Sequence, residues 1–88
     1  MFLKKVKGVF MKLELYKMET CPYCRRVMNY IASAGRTDII YKDINQDAEA
    51  EKTLIAVGGK RQVPCLFIDG EPLYESLDII KWLEDHPA

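Results

Sequence analysis

The chain has 88 residues, 49% of them hydrophobic, which is enough for one small domain with its own core and too little for two. Thirteen Lys and Arg balance thirteen Asp and Glu, so no net field draws the protein to nucleic acid or to an anionic membrane. Three cysteines are an odd count for a disulfide-stapled secreted scaffold and fit a reducing, cytoplasmic setting better.

Residues 1–10, Met-Phe-Leu-Lys-Lys-Val-Lys-Gly-Val-Phe, are basic and apolar, but their apolar runs are too short for a signal-peptide core or a membrane span. They read as an N-terminal extension to a single domain over residues 11–88. A weak membrane-surface contact through Phe2, Leu3, Val6, Val9 and Phe10 is the rival reading, and stable membrane association is not expected. The strand-like pattern begins at Met11, which makes that residue an alternative start.

Met11, Leu13 and Leu15 alternate with Lys12, Glu14 and Tyr16, predicting a first strand over 11–16. Cys24, Val27, Met28 and Ile31 then recur at helical spacing, predicting a helix over 22–34 that ends on a left-handed Gly35. Thr20-Cys21-Pro22-Tyr23-Cys24 lies between the two, where the strand gives way to the helix. Proline suits the first helical position, so Cys21 falls at or near the N-cap. There the unpaired N–H groups and the helix dipole favour negative charge on a sulfur, which makes Cys21 the expected nucleophile. Cys24, within the first turn and on the same face, is the expected resolving thiol.

Ile39, Ile40, Tyr41 and Ile44 predict a second strand, parallel to the first with a right-handed crossover. Asn45 or Asp47 can cap a second helix over 48–57, with Glu49 and Glu51 in its first turns and Gly58-Gly59 at its end. Residues 63–68 predict a central strand from the apolar run Cys65-Leu66-Phe67-Ile68. Pro64 conflicts with that place, because it can donate no ladder hydrogen bond. Asp69-Gly70 suits a type I′ turn, returning 71–74 as an antiparallel edge strand that tolerates Pro72. Ser76 is a good N-cap for a last helix whose buried face would comprise Leu77, Ile79, Ile80 and Leu83, with Pro87 as its stop. The fold class is therefore α/β, in the order β-α-β-α-β-β-α, a four-stranded mixed sheet with three helices.

Cys21-Pro22-Tyr23-Cys24 after a first strand, Val63-Pro64 opening the third, and the Phe67-Ile68-Asp69-Gly70 hairpin together resemble a glutaredoxin of the dithiol type, with the thioredoxin fold. Tyr74-Glu75-Ser76-Leu77 departs from the commonest glutaredoxins and is similar to the Glu-Ser motif in the N-terminal domains of glutathione transferases. The resemblance implies that Pro64 is cis and faces the cysteine pair. It also implies a glutathione site, in which the backbone of Val63 pairs with the cysteinyl part and Glu75 and Ser76 hold the γ-glutamyl end. The start of the last helix suits that carboxylate. Lys60, Arg61 and Gln62 become candidates for the glycine carboxylate, and Tyr23 for shaping the site's surface. Many glutaredoxins carry a lysine three residues before the first cysteine. Here that position is Met18, and Lys17, one residue earlier, should point the other way along the strand.

The implied function is that of a glutathione-dependent thiol-disulfide oxidoreductase, a monomer acting on glutathione mixed disulfides and protein disulfides through Cys21 and Cys24. Glutathione would be its co-substrate. No metal is expected, since a zinc site needs four ligands and only the distant Cys65 and His86 could join the pair. Cys65 is expected as a buried apolar residue, Trp82 in packing, and His86 as inert. Three rivals are a glutathione-ligated [2Fe–2S] carrier, which Pro22 disfavours, a redoxin reduced by thioredoxin reductase, and a transferase-like domain that binds or conjugates glutathione.

Overall fold

A computed structural model describes residues 11–88. The expected N-terminal extension, residues 1–10, lies outside the described residues. The elements run β1 (Leu13–Lys17), α1 (Pro22–Ser33), β2 (Ile39–Asp43), α2 (Ala48–Gly58), β3 (Cys65–Ile68), β4 (Glu71–Tyr74) and α3 (Ser76–Asp85). The strands form one sheet in the order β2-β1-β3-β4, with β1 parallel to β2 and antiparallel to β3, and β3 antiparallel to β4. The chain thus has the mixed four-stranded sheet and three helices that the sequence predicts.

Period-two alternation on β1 separates two layers of core. Leu13 and Leu15 face one side, where they meet Val27 and Ile31 of α1, Leu66 of β3, and Ile79 and Leu83 of α3. Tyr16 faces the other side with Ile44, Ala50 and Leu54 around α2, and Cys65 and Phe67 of β3. Leu15, Leu66, Leu54 and Leu83 are all fully buried, and each such side chain stabilises the fold by about 1.5–3 kcal/mol.

Local chemistry sets the element ends. Asp47 caps α2, its carboxylate accepting from the N–H groups of Glu49 at 3.0 Å and Ala50 at 3.2 Å. The β3-β4 turn takes Asp69 and Gly70 at φ 50° and 88°, the doubly left-handed geometry of a type I′ turn. Gly35 follows α1 at φ 69°. The side chain of Arg36, on the same loop, is almost fully buried. Its Nη1 donates to the carbonyls of Leu83 at 2.9 Å and His86 at 2.8 Å, while its other nitrogens pair with Asp38. Those bonds tie the end of α1 to the end of α3.

Three expectations need correction. The third strand begins at Cys65 and not at Val63, so Pro64 stands just before the ladder and takes no donor from it. The N-cap of α3 is Glu75, with φ 75° and ψ 122° and no side-chain capping bond, and Ser76 is the first helical residue. Leu77 does not join the buried face of α3. It is 65% exposed, because Ile79 and Leu83 already span the stripe that meets the sheet.

Candidate active site

The end of β1 and the start of α1 are joined by a short turn, closed by the Cys21 N–H donating to the Met18 carbonyl at 3.3 Å. Cys21 is the N-cap of α1, with extended backbone (φ −84°, ψ 119°), and Pro22 follows at the first helical position. Its carbonyl accepts the first helical bond from the Arg25 N–H at 3.0 Å. No side chain caps the remaining first-turn N–H groups, so the positive end of the helix is open to the Cys21 sulfur. Cys21 is partly exposed and Cys24 fully buried.

Burial pushes the Cys24 thiol up to about 12, and the neighbouring Cys21 adds to the rise. The Met18 N–H and the positive charge of Lys17 act against it. At neutral pH, Cys24 is a neutral thiol. Two identical residues three apart therefore sit in opposite environments, one at an open helix start and one in the interior.

Beside this pair lies a groove of about 640 Å³, lined by Tyr23, Arg26, Gln62, Val63, Pro64, Glu75, Ser76, Leu77 and Asp78. Its size is that of a small-ligand site. One wall is the first turns of α1 and the other the start of α3, with the segment before β3 between them. The Val63-Pro64 peptide is cis. Ser76 and Leu77 begin α3, and the Ile79 N–H donates to the Glu75 carbonyl at 3.0 Å as its first helical bond. The N–H groups of Ser76, Leu77 and Asp78 precede that bond and are free to meet an anion.

Of the residues named from the sequence, Tyr23, Gln62, Val63, Pro64, Glu75 and Ser76 share this groove. Lys60 and Arg61 do not. The Arg61 guanidinium pairs with Glu51 and reaches Asn45 Oδ1 at 3.4 Å on the outside of α2. The Lys60 ammonium stands over the Tyr74 ring, 4.7 Å from its centre. The sequence reading missed Arg26, whose guanidinium carbon lies 5.8 Å from the centre of the Tyr23 ring and which is the cation lining the groove. Its signal was available, since position 26 follows Tyr23 by three residues and so shares its helix face.

Cys65 follows Pro64 in sequence, yet it points to the α2 side of the sheet. Burial pushes its thiol up to about 11, against the Tyr74 hydroxyl and the Leu73 N–H. Met18 also packs on the α2 side. Lys17, as alternation requires, points to the α1 side, where its ammonium pairs with Glu19 and with Asp43 at 3.4 Å. Among the described residues no three His, Cys, Asp or Glu side chains group as metal ligands, and no helix is long and apolar enough to cross a membrane.

A model of the glutathione S-transferase N-terminal domain family matches residues 15–88. Glutaredoxin 3 of Escherichia coli (strain K12) is 34% identical over 61 residues, which cover 67% of this chain and 70% of that protein. The structure is similar to glutathione transferase Omega 3C from Trametes versicolor, with a TM-score of 0.73 and 28% identity over 93% of this chain and 37% of that one. The chain therefore spans little more than a third of that transferase. The dithiolic glutaredoxin 2-C-Grx1 from Trypanosoma brucei brucei shares the fold at a TM-score of 0.65 and 22% identity, over 97% of this chain and 87% of that one.

Proposed function

The chain belongs to the glutaredoxin family, and on that footing we propose that it is a glutathione-dependent thiol-disulfide oxidoreductase. One observation carries the reading: a partly exposed thiol at an open helix N-terminus stands three residues from a buried neutral thiol, beside a groove with an anion-binding end.

In the monothiol route, the Cys21 thiolate attacks the glutathione sulfur of a mixed disulfide. The bond to the substrate breaks, the substrate leaves as a thiolate that takes a proton from water, and glutathione stays on Cys21. A second glutathione thiolate then attacks that sulfur, oxidised glutathione forms, and the Cys21 thiolate is regenerated. For a protein disulfide, Cys24 loses its proton and attacks Cys21. The substrate is released as a thiol and a Cys21–Cys24 disulfide remains for glutathione to reduce. Exchange of this kind is fastest through an accessible thiolate.

The groove suits the tripeptide. The free N–H groups of Ser76 and Leu77 would hold the γ-glutamyl carboxylate, Glu75 and Asp78 its ammonium, and the Val63 backbone the cysteinyl unit beside Pro64. Gln62 and Arg26 would meet the glycine carboxylate. Arg61 would have to leave Glu51 and Asn45 to take part. Glutaredoxins as a class sit at about −200 to −230 mV, within reach of a cytosolic glutathione pool, which agrees with action in the cytoplasm.

The test is turnover of a glutathione mixed disulfide with a small thiol, coupled to glutathione reductase. Cys21→Ser should be inactive and Cys24→Ser active. A wild type that ignores glutathione but accepts electrons from thioredoxin reductase would overturn the proposal.

A further inference from the structure

Gln62, Val63 and Pro64 line the groove, yet little regular structure holds them there. α2 ends at Gly58 and β3 begins at Cys65, which leaves residues 59–64 outside any helix or ladder. Among the described residues, the backbone of 60–64 makes one hydrogen bond, and its donor is a side chain: the Tyr74 hydroxyl reaches the Lys60 carbonyl at 3.3 Å. The same hydroxyl stands 3.2 Å from the Gly58 carbonyl, so its proton is shared between the end of α2 and the start of the segment. The other ties are made by side chains at the surface, where Arg61 pairs with Glu51 and the Lys60 ammonium stands over the Tyr74 ring.

The place of Tyr74 in the sheet suits it to this hold. It closes β4 and is the register partner of Cys65, which opens β3. Its ring packs on the α2 side of the sheet, against the same buried cluster as the Val63 side chain. The next residue in the chain is Glu75, on the α3 wall of the groove. Tyr74 is thus joined to one wall through the chain and to the facing segment through its hydroxyl, without lining the groove itself.

We propose that Tyr74 is a positioning residue for glutathione, its hydroxyl holding the Lys60 carbonyl so that the backbone of Gln62 and Val63 is set against the start of α3. The inference rests on the glutathione site proposed above. The unused N–H and C=O groups of that backbone are what an extended peptide pairs with. A tripeptide that touches both walls binds best when they are already in place, because ordering a loose segment on binding subtracts from affinity. Tyr74 has no contact with the reacting sulfurs in this scheme, so its removal acts on recognition and spares the Cys21 thiolate.

The experiment is reaction of the reduced full chain with oxidised glutathione and, separately, with hydroxyethyl disulfide, which offers an S–S bond and none of the tripeptide. In both, the Cys21 thiolate bonds to one sulfur as the S–S bond breaks, and the other half leaves as a thiolate that takes a proton from water. Each rate constant is divided by that of the same disulfide with free N-acetylcysteine, which cancels the difference between leaving groups. The wild type should then prefer oxidised glutathione. Tyr74→Phe, which keeps the ring, should lower the rate with oxidised glutathione about fivefold, the usual effect of one lost hydrogen bond, and leave the rate with hydroxyethyl disulfide within about twofold. Lys60→Ala keeps the carbonyl and removes the ammonium, and should leave both rates within about twofold. Equal slowing with the two disulfides in Tyr74→Phe, unchanged rates in that variant, or an equal loss in Lys60→Ala overturns the assignment of the Tyr74 hydroxyl. A wild type with no preference for oxidised glutathione sinks the glutathione site itself, so the two failures are told apart.

Discussion

At the scale of single residues, Glu75 is the position where stability and function pull apart. A glutamate at φ 75° and ψ 122° is in a region that favours glycine, and holding it there costs of order 1–3 kcal/mol. The return is that its side chain and the first N–H groups of α3 face the same groove. Glu75→Gly should therefore raise the denaturant-derived stability by about 1 kcal/mol while raising the KM for glutathione about tenfold, the worth of one charge-assisted contact. A variant neither more stable nor weaker in binding would show that the backbone angle serves no ligand. The sequence made Glu75 and Ser76 visible as a motif but placed the N-cap at Ser76, one residue late. Serine caps by side chain, and that preference says nothing about a backbone turned to positive φ by the hairpin that leads into it.

At the scale of elements, the contact between α2 and β4 is decided by one missing methyl group. A Cβ on Gly58 would stand 2.5 Å from the Tyr74 hydroxyl oxygen, which is itself held by the carbonyls of Gly58 at 3.2 Å and Lys60 at 3.3 Å. Gly58→Ala should destabilise the wild type by about 1–3 kcal/mol through overpacking. In a Tyr74→Phe background the obstacle is gone, and the same change should stabilise by about 0.5–1 kcal/mol from helix propensity alone. A double-mutant cycle read by urea unfolding checks the change of sign. The element order and the β1–β2 and β3–β4 pairings were legible from periodicity and turn chemistry, because period two, period 3.6 and Asp-Gly are local signals, whereas the antiparallel β1–β3 pairing joins strands far apart in the chain. The orientation of Lys60 and Arg61 was not. Their direction depends on Tyr74, Glu51 and Asn45, which approach only when α2 packs against the sheet. Arg26 escaped notice because a charged residue on a helix reads as solvated face, and only the approach of α3 and the segment before β3 makes that exposed face one wall of a groove; Leu77 was misread because its apolar spacing fits the stripe that Ile79 and Leu83 fill.

At the scale of the whole molecule, burial of weak acids predicts alkaline lability. Cys24, Cys65 and Tyr74 all bind their protons more tightly in the folded state, chiefly from desolvation. A raised folded value means that their contribution is complete below the ordinary cysteine value of 9.0 and is lost as pH rises through about 11 for Cys65 and about 12 for Cys24. Lys17, also raised, is lost in the same direction. The denaturant midpoint should therefore hold up to about pH 9 and fall steadily above it, and Cys65→Ala should fall less than the wild type over that range. A midpoint flat through pH 11 in both proteins would refute this.

The sheet has one more consequence. Three thiols admit three pairings, and a protein that cycles through disulfides risks being trapped in a wrong one. Cys65 is only one residue beyond Pro64, but β3 turns its sulfur into the α2 layer while α1 keeps Cys21 and Cys24 on the opposite side. A single thickness of backbone works as a partition, so of the three possible internal couplings the fold leaves one open, and each oxidation has one way back.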